Sequence, residues 1–195
     1  MAQRRSTRAL NNDAAIRGAT VELILSVGID AISFRDVGRL AGLTHGALYA
    51  RFEDVEELLV DLWNEVLCHR AIALFESTLE AAARPTAASV AQAFDFIRLS
   101  SPADIAMVEV LLTSRRFDIL HEEVETFIRD YLESNTTEVT GGIQSRALTF
   151  FSLIMMEILV NAQIGLEGDN LNYLESVVIE TLQVPPGDTS GGRRS

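Results

Sequence analysis

Residues 33–52 read Ser-Phe-Arg-Asp-Val-Gly-Arg-Leu-Ala-Gly-Leu-Thr-His-Gly-Ala-Leu-Tyr-Ala-Arg-Phe. Among the polar and cationic side chains here are Arg35, Thr44, His45, Tyr49 and Arg51, and small residues lie between them. Gly46, Ala47 and Ala50 keep the segment that carries His45 and Tyr49 slim, as entry into a DNA major groove requires. Arginine suits the O6 and N7 acceptors of guanine, and histidine can donate or accept. A tyrosine hydroxyl can donate to phosphate. The chemistry within reach of these residue types is recognition of a nucleic acid.

Charge limits where such contacts can be made. The 195 residues carry a net charge of −12, which at first argues against a polyanionic partner. Residues 1–52, however, hold seven arginines (Arg4, Arg5, Arg8, Arg17, Arg35, Arg39, Arg51) against four acids, a balance of +3. The remainder holds nine arginines against 24 acids. Only the amino-terminal end can face phosphate.

The elements that would hold these residues are helical. A first helix is expected from Asn12 to Val27, with Ile16, Ala19, Thr20, Leu23 and Val27 on one face, Asn11 or Asn12 as its cap and Gly28 as its stop. Ser33 followed by Asp36 has capping-box spacing and opens a second helix, which halts at Gly42. Thr44 caps a third, from His45 to about Arg51. Two short helices joined by Gly-Leu-Thr have the spacing of a helix-turn-helix. Val37, Leu40, Leu48 and Phe52 are expected to bury against the first helix. Gly38 is placed for close approach of the second helix to the third. Asp54 through Glu57 opens a long fourth helix that runs to about Ala83, before Arg84-Pro85. Further helices follow from Thr86, from Ser101-Pro102, over Phe117–Glu138, over Ser145–Leu166 and over Asn170–Gln183. The fold class is all-α, about nine helices. It divides into a helix-turn-helix domain (1–53), a larger helical ligand-binding and dimerisation domain (54–184) and a disordered tail (185–195).

This stretch resembles the TetR family of transcriptional regulators. The matching pieces are Ser33 to Val37, Ala41-Gly42-Leu43-Thr44, Gly46-Ala47-Leu48-Tyr49, Phe52 and Glu57-Leu58-Leu59. The resemblance implies phosphate contacts at Thr44 and Tyr49 and base contacts at Arg35 and His45. It also implies backbone or thymine-methyl contacts at Gly46 and Ala47. Arg4, Arg5 and Arg8 would form a flexible arm that follows the backbone or enters a minor groove. Two positions depart from the family pattern. Arg51 stands where the family usually has His and keeps phosphate-binding capacity. Val55 stands where Lys is common and removes a phosphate ligand, with Glu53 and Asp54 beside it.

The resemblance also implies a homodimer formed through helices near residues 145–183, which would present two recognition helices to a near-palindromic double-stranded operator. Candidate lining residues for an unidentified small-molecule effector are Trp63, Phe94, Met107, Phe127 and Met155, with Phe75 also apolar and Asn161 or Gln163 as polar handles. Glu157 interrupts an apolar helix. It pairs with Arg115, Arg116 or Arg146, lines a site for a cationic ligand, or sits at a wet dimer rim.

Other classes find little support. There is no GxGxxG, P-loop, HExxH or nucleophile elbow, so no enzyme and no cofactor is expected. His69 and His121 lack metal-ligand spacing, and the single cysteine, Cys68, excludes a multi-cysteine metal site and an internal disulfide. No window reaches the roughly 18 apolar residues of a membrane span, and no secretion signal precedes Asn11, so a cytoplasmic location is expected. The rival reading is a helical small-molecule-binding or interaction protein with a weakened DNA-binding head, for which Val55 is the main support.

Overall fold

The computed structural model describes residues 2–136, 149, 151–158 and 168–181, and among these the chain is helical with no strand. Helix α1 spans Ala2–Val27, α2 Phe34–Ala41 and α3 His45–Tyr49. Next come α4 (Val55–Leu62), a π-helical turn (Trp63–Leu67) and α5 (Cys68–Ala83). The next helices are α6 (Ala87–Arg98), α7 (Pro102–Thr113) and α8 (Asp118–Thr136). Residues 151–158 form α9 and Gly168–Thr181 form α10.

The chain packs as two compact units. One comprises Met1–Ala71 with Ser101–Ser134, the other Ile72–Ser100 with Asn135–Ser195. In the first, Ile16, Leu23 and Ile24 of α1 bury with Val37 of α2, Leu48 of α3 and Leu58, Leu59 and Leu62 of α4. Each such side chain fully removed from water contributes about 1.5–3 kcal/mol. Met107, Val108 and Val110 of α7 and Leu120 and Val124 of α8 belong to the same unit's core. Trp63 meets Phe127 of α8 edge-on, ring centroids 5.3 Å apart. In the second unit Leu74, Phe94, Ile97, Ile154 and Ile158 are wholly buried, and Arg98 of α6 reaches Asn172 and Glu175 of α10.

Four of the caps read from the sequence are in place. Ser33, Thr44, Asp54 and Ser101 each accept a hydrogen bond from the amide three residues on, and Pro102 opens α7 directly after its cap. Gly42 closes α2 at φ 67°, with its amide and that of Leu43 both on the Gly38 carbonyl. This left-handed ending reverses the chain at little cost only for glycine.

Four expectations need correction. Helix α1 begins at Ala2 instead of Asn12, so Arg4, Arg5 and Arg8 lie within a helix and form no flexible arm. Residues 2–17 contain no Gly or Pro to stop the helix, and Ala, Arg and Leu favour it. Val27 and Leu40, expected in the core, are exposed; Phe34, Val37 and Gly38 take the buried face of α2 and leave Leu40 at its edge. Helix α3 is shorter than expected and ends at Tyr49. The long fourth helix is not uniform: at Trp63–Leu67 it widens into a π turn, in which the Cys68 amide bonds the Trp63 carbonyl and both Trp63 and Leu67 face inward. The expected tail at 185–195 lies outside the described residues.

Candidate nucleic-acid interface

The site is built on how closely α3 lies to α2. A Cβ at Gly38 would stand 3.1 Å from the Leu43 carbonyl oxygen and 3.2 Å from Leu48 Cδ1. Glycine is therefore what lets the turn and the buried Leu48 seat against α2. The cost of about 1 kcal/mol for a mid-helix glycine is offset by that packing. With Leu48 pinned inward, the other face of α3 turns out to solvent: His45, Gly46 and Tyr49 are exposed and Ala47 is half-buried.

Tyr49 is 56% exposed, yet its ring is held on two sides. Phe34 of α2 meets it edge-on at 4.9 Å, and His45 does so at 4.6 Å. Edge-to-face aromatic pairs contribute about 0.5–1.5 kcal/mol each beyond burial, enough to restrict where the Tyr49 hydroxyl points. Thr44 Oγ1 accepts the Ala47 amide at 3.3 Å, which leaves its own hydroxyl hydrogen free to donate. A groove of about 310 Å³ beside these rings is lined by Arg35, His45 and Tyr49 together with Glu53, Asp54 and Val55.

Three arginines of the head are paired with acids. Arg17 pairs with Asp61 at 2.8 Å and with Glu65 at 3.5 Å, and Arg39 with Asp36 at 3.5 Å. Arg51 pairs with Asp13 of α1. Arg35 is exposed and has no ion pair among the described residues. Asp36 is held below the usual carboxylate range, first by the Ser33 hydroxyl and then by Arg39 and Arg35, against a smaller opposing effect of burial. It stays ionised at the start of α2, where the helix dipole favours negative charge.

Of the expected DNA-facing residues, the fold brings Arg35, Thr44, His45, Gly46, Ala47 and Tyr49 to one region around α3. Arg51, in the turn after it, is engaged with α1. Of the expected effector-lining residues, Trp63, Met107 and Phe127 belong to the first unit, and Phe75, Phe94 and Met155 to the second. Trp63, Phe94 and Met107 are wholly buried, while Phe127, Met155 and Glu157 are half-buried. Asn161, Gln163 and Arg146 lie outside the described residues. Sequence reading missed Phe34 as the support of Tyr49 and Asp13 as the partner of Arg51. It also missed Glu56, whose carboxylate accepts the first amides of α8 at Ile119 (2.5 Å) and Leu120 (3.1 Å). All three contacts join separate elements of the fold, so no local spacing signals them.

A short, slim, outward-facing helix, held at a fixed angle against its predecessor in an all-helical chain, defines a helix-turn-helix DNA-binding protein. Residues 16–62 match the model of bacterial regulatory proteins of the tetR family, so the helix-turn-helix head is of that family's type. No curated protein matches it in sequence. Among solved structures, a proposed transcriptional regulator from Streptomyces coelicolor A3(2) is similar at 21% identity and a TM-score of 0.59, over 88% of this chain and 95% of that one. A proposed TetR-family regulator from Rhodococcus sp. is similar at 16% identity and 0.60, over 89% and 97%. A further proposed regulator, from Rhodococcus sp. RHA1, reaches 0.62 at 17% identity, over 89% and 96%. These structures share the fold. No helix among the described residues is long and apolar enough to cross a membrane.

Proposed function

We propose that this regulator is a homodimeric, non-enzymatic repressor that binds a near-palindromic operator through two copies of α3 and leaves it when a small molecule binds the helical body. The observation that carries the DNA-binding part is the exposed Tyr49, braced by Phe34 and His45 beside the exposed Arg35. In this reading Arg35 and His45 address base edges, Thr44 and Tyr49 donate hydroxyls to phosphate, and Gly46 and Ala47 let the backbone approach.

Dimerisation is assigned to α9 and α10. Met156 and Val177 are exposed apolar side chains on these helices, and a second copy would cover them. A twofold dimer places its recognition helices one helical turn of DNA apart, about 34–36 Å. The effector is an apolar or mixed small molecule taken up by the helices beyond residue 54. Its signal travels along α4, which begins at the Asp54 cap directly after the helix-turn-helix and continues without a loop through the π turn into α5. A shift of α4 changes the separation of the recognition helices and takes them out of register with successive major grooves.

The test is nuclease footprinting on the DNA flanking the gene, with sedimentation of the free and bound protein. Protection of an inverted repeat by a dimer is the expected result. Absence of any salt-sensitive binding to duplex DNA would overturn the reading and favour an interaction protein with an inactive head.

A further inference from the structure

Arg51 has a partner whose charge opposes DNA binding. It lies in the turn between α3 and α4, two residues past Tyr49 and just before the buried Phe52, which fixes the local backbone. Its Nη2 contacts Oδ1 of Asp13, on α1. The two side chains are 32% and 22% exposed, so the pair is partly shielded from water and stronger than a freely solvated one. One helical turn further along α1, Arg17 is already taken by Asp61 and Glu65, so among the described residues the cation facing Asp13 is Arg51.

We infer that Asp13 is a positioning residue that acts through Arg51: its carboxylate serves as an internal counter-ion and competes with DNA phosphate for the guanidinium. The inference rests on the DNA-binding reading and deepens it. Affinity from the phosphate backbone comes from releasing condensed counterions, about 0.9 per phosphate neutralised on duplex DNA. A guanidinium already neutralised within the protein releases none until it leaves its carboxylate. Each head therefore binds DNA as though it carried one cation fewer than its sequence provides. The two acids by the groove, Glu53 and Asp54, act in the same direction but pair with no arginine among the described residues, so Asp13 is the acid with a specific site of action.

The test uses the full chain, a fluorescently labelled random-sequence duplex, and anisotropy titrations across a salt series. Asp13→Asn should bind more tightly at low salt and steepen the slope of log affinity against log salt by about one per subunit. Asp13→Glu, which can keep the pair, should behave like the parent. Arg51→Gln should leave the slope at or below the parental one, and Asp13→Asn combined with Arg51→Gln should match Arg51→Gln alone. Circular dichroism melting of each variant separates lost folding from altered binding. An unchanged slope in a folded Asp13→Asn protein would overturn the inference. Weaker binding with a shallower slope would also overturn it, because the carboxylate would then be aiming Arg51 at phosphate. If the parent itself shows no salt-dependent binding, it is the DNA-binding reading that fails, which is a different result from failure of Asp13 alone.

Discussion

Arg70 holds Asp104 by two parallel hydrogen bonds, Nε to Oδ1 and Nη2 to Oδ2, each 2.6 Å long. The pair joins the start of α5 to the first turn of α7, and Asp104 simultaneously completes the capping box with Ser101. Burial, the largest single influence, pushes the Asp104 pKa up. The hydrogen bonds from Arg70 and Ser101 together outweigh it and hold the carboxyl below its usual range.

That asymmetry predicts unequal mutants. Asp104 is 1% exposed and Arg70 is 41% exposed. Arg70→Met strands a buried carboxylate and should cost about 3 kcal/mol at neutral pH. Asp104→Asn leaves a guanidinium that can reach water and should cost about 1–2 kcal/mol. The sign with pH follows from the lowered folded pKa. The pair's contribution is complete above the ordinary Asp range, near about pH 4, and is lost as pH falls through the lower folded value. In Arg70→Met burial dominates, the Asp104 pKa rises, and acid relieves the penalty. Urea unfolding at fixed protein concentration should show the gap between parent and Arg70→Met narrowing from pH 7 to pH 4.

Gly38→Ala tests whether the angle between α2 and α3 is set by contact. Alanine gains about 1 kcal/mol of helix propensity. It also places a methyl 3.1 Å from the Leu43 carbonyl, a backbone atom in a turn fixed by the Leu43 amide on Gly38. Backbone yields less readily than a flexible side-chain tip, and overpacking costs about 1–3 kcal/mol. A net loss of about 1 kcal/mol in thermal unfolding is expected, with a larger fractional loss of DNA affinity because α3 is displaced. A stabilised variant with parental DNA affinity would show that the close approach is not limiting.

These two positions mark how far the sequence could be read. The caps at Ser33, Thr44, Asp54 and Ser101, the stop at Gly42 and the tight packing at Gly38 were legible because each depends on residues within a few positions of one another. So were the outward side chains of α3, once Leu48 was placed inside. Arg70–Asp104, Arg51–Asp13 and Phe34–Tyr49 were not legible, since each is a meeting of separate elements that only packing decides. The start of α1 was misread for another reason. Asn11-Asn12-Asp13 is a good cap sequence in isolation, but nothing before it breaks a helix, and the helix runs on. The π turn at Trp63–Leu67 gave no local sign, because its residues fit an α-helix equally well.

Glu56 offers a test of what holds the start of α8. Its carboxylate accepts the Ile119 and Leu120 amides, two of the donors that a helix start leaves free. Glu56→Ala should cost about 1 kcal/mol, the usual value of a lost cap. The loss should be local: hydrogen exchange at the Ile119 and Leu120 amides should accelerate while that at buried Leu58 and Leu59 keeps pace with global unfolding. Glu56→Gln retains an acceptor oxygen and should recover part of the protection. Uniform acceleration along α4 and α8 would point to a general loss of packing instead.

At α3, Tyr49→Phe removes only a hydroxyl and keeps the ring contacts with Phe34 and His45. Stability should be unchanged and DNA binding weaker by about 1 kcal/mol, the worth of one hydrogen bond. The salt slope should also be unchanged, since no charge is removed. Arg35→Gln should instead weaken binding if it reads a base, and the loss should be greater on the operator than on random duplex. Equal losses on both DNAs would reassign Arg35 to phosphate.

The dimer proposal is tested at Met156, which is 56% exposed on α9. An apolar side chain so placed costs a monomer little, so exposure alone does not require a partner. Its significance lies in Val177 on α10, which is also exposed, on the second helix assigned to the interface. Met156→Asp introduces a charge that water accommodates easily in a monomer. Under an apolar interface it would be repeated by symmetry on both subunits. Sedimentation should therefore move from a dimer toward the 21.4 kDa chain, with the melting temperature of the dissociated protein still cooperative. Operator affinity should fall much further than affinity for a single half-site, because linking two heads raises affinity without adding any contact. A Met156→Asp protein that remains dimeric would move the interface away from this face of α9, leaving the helix-turn-helix assignment untouched.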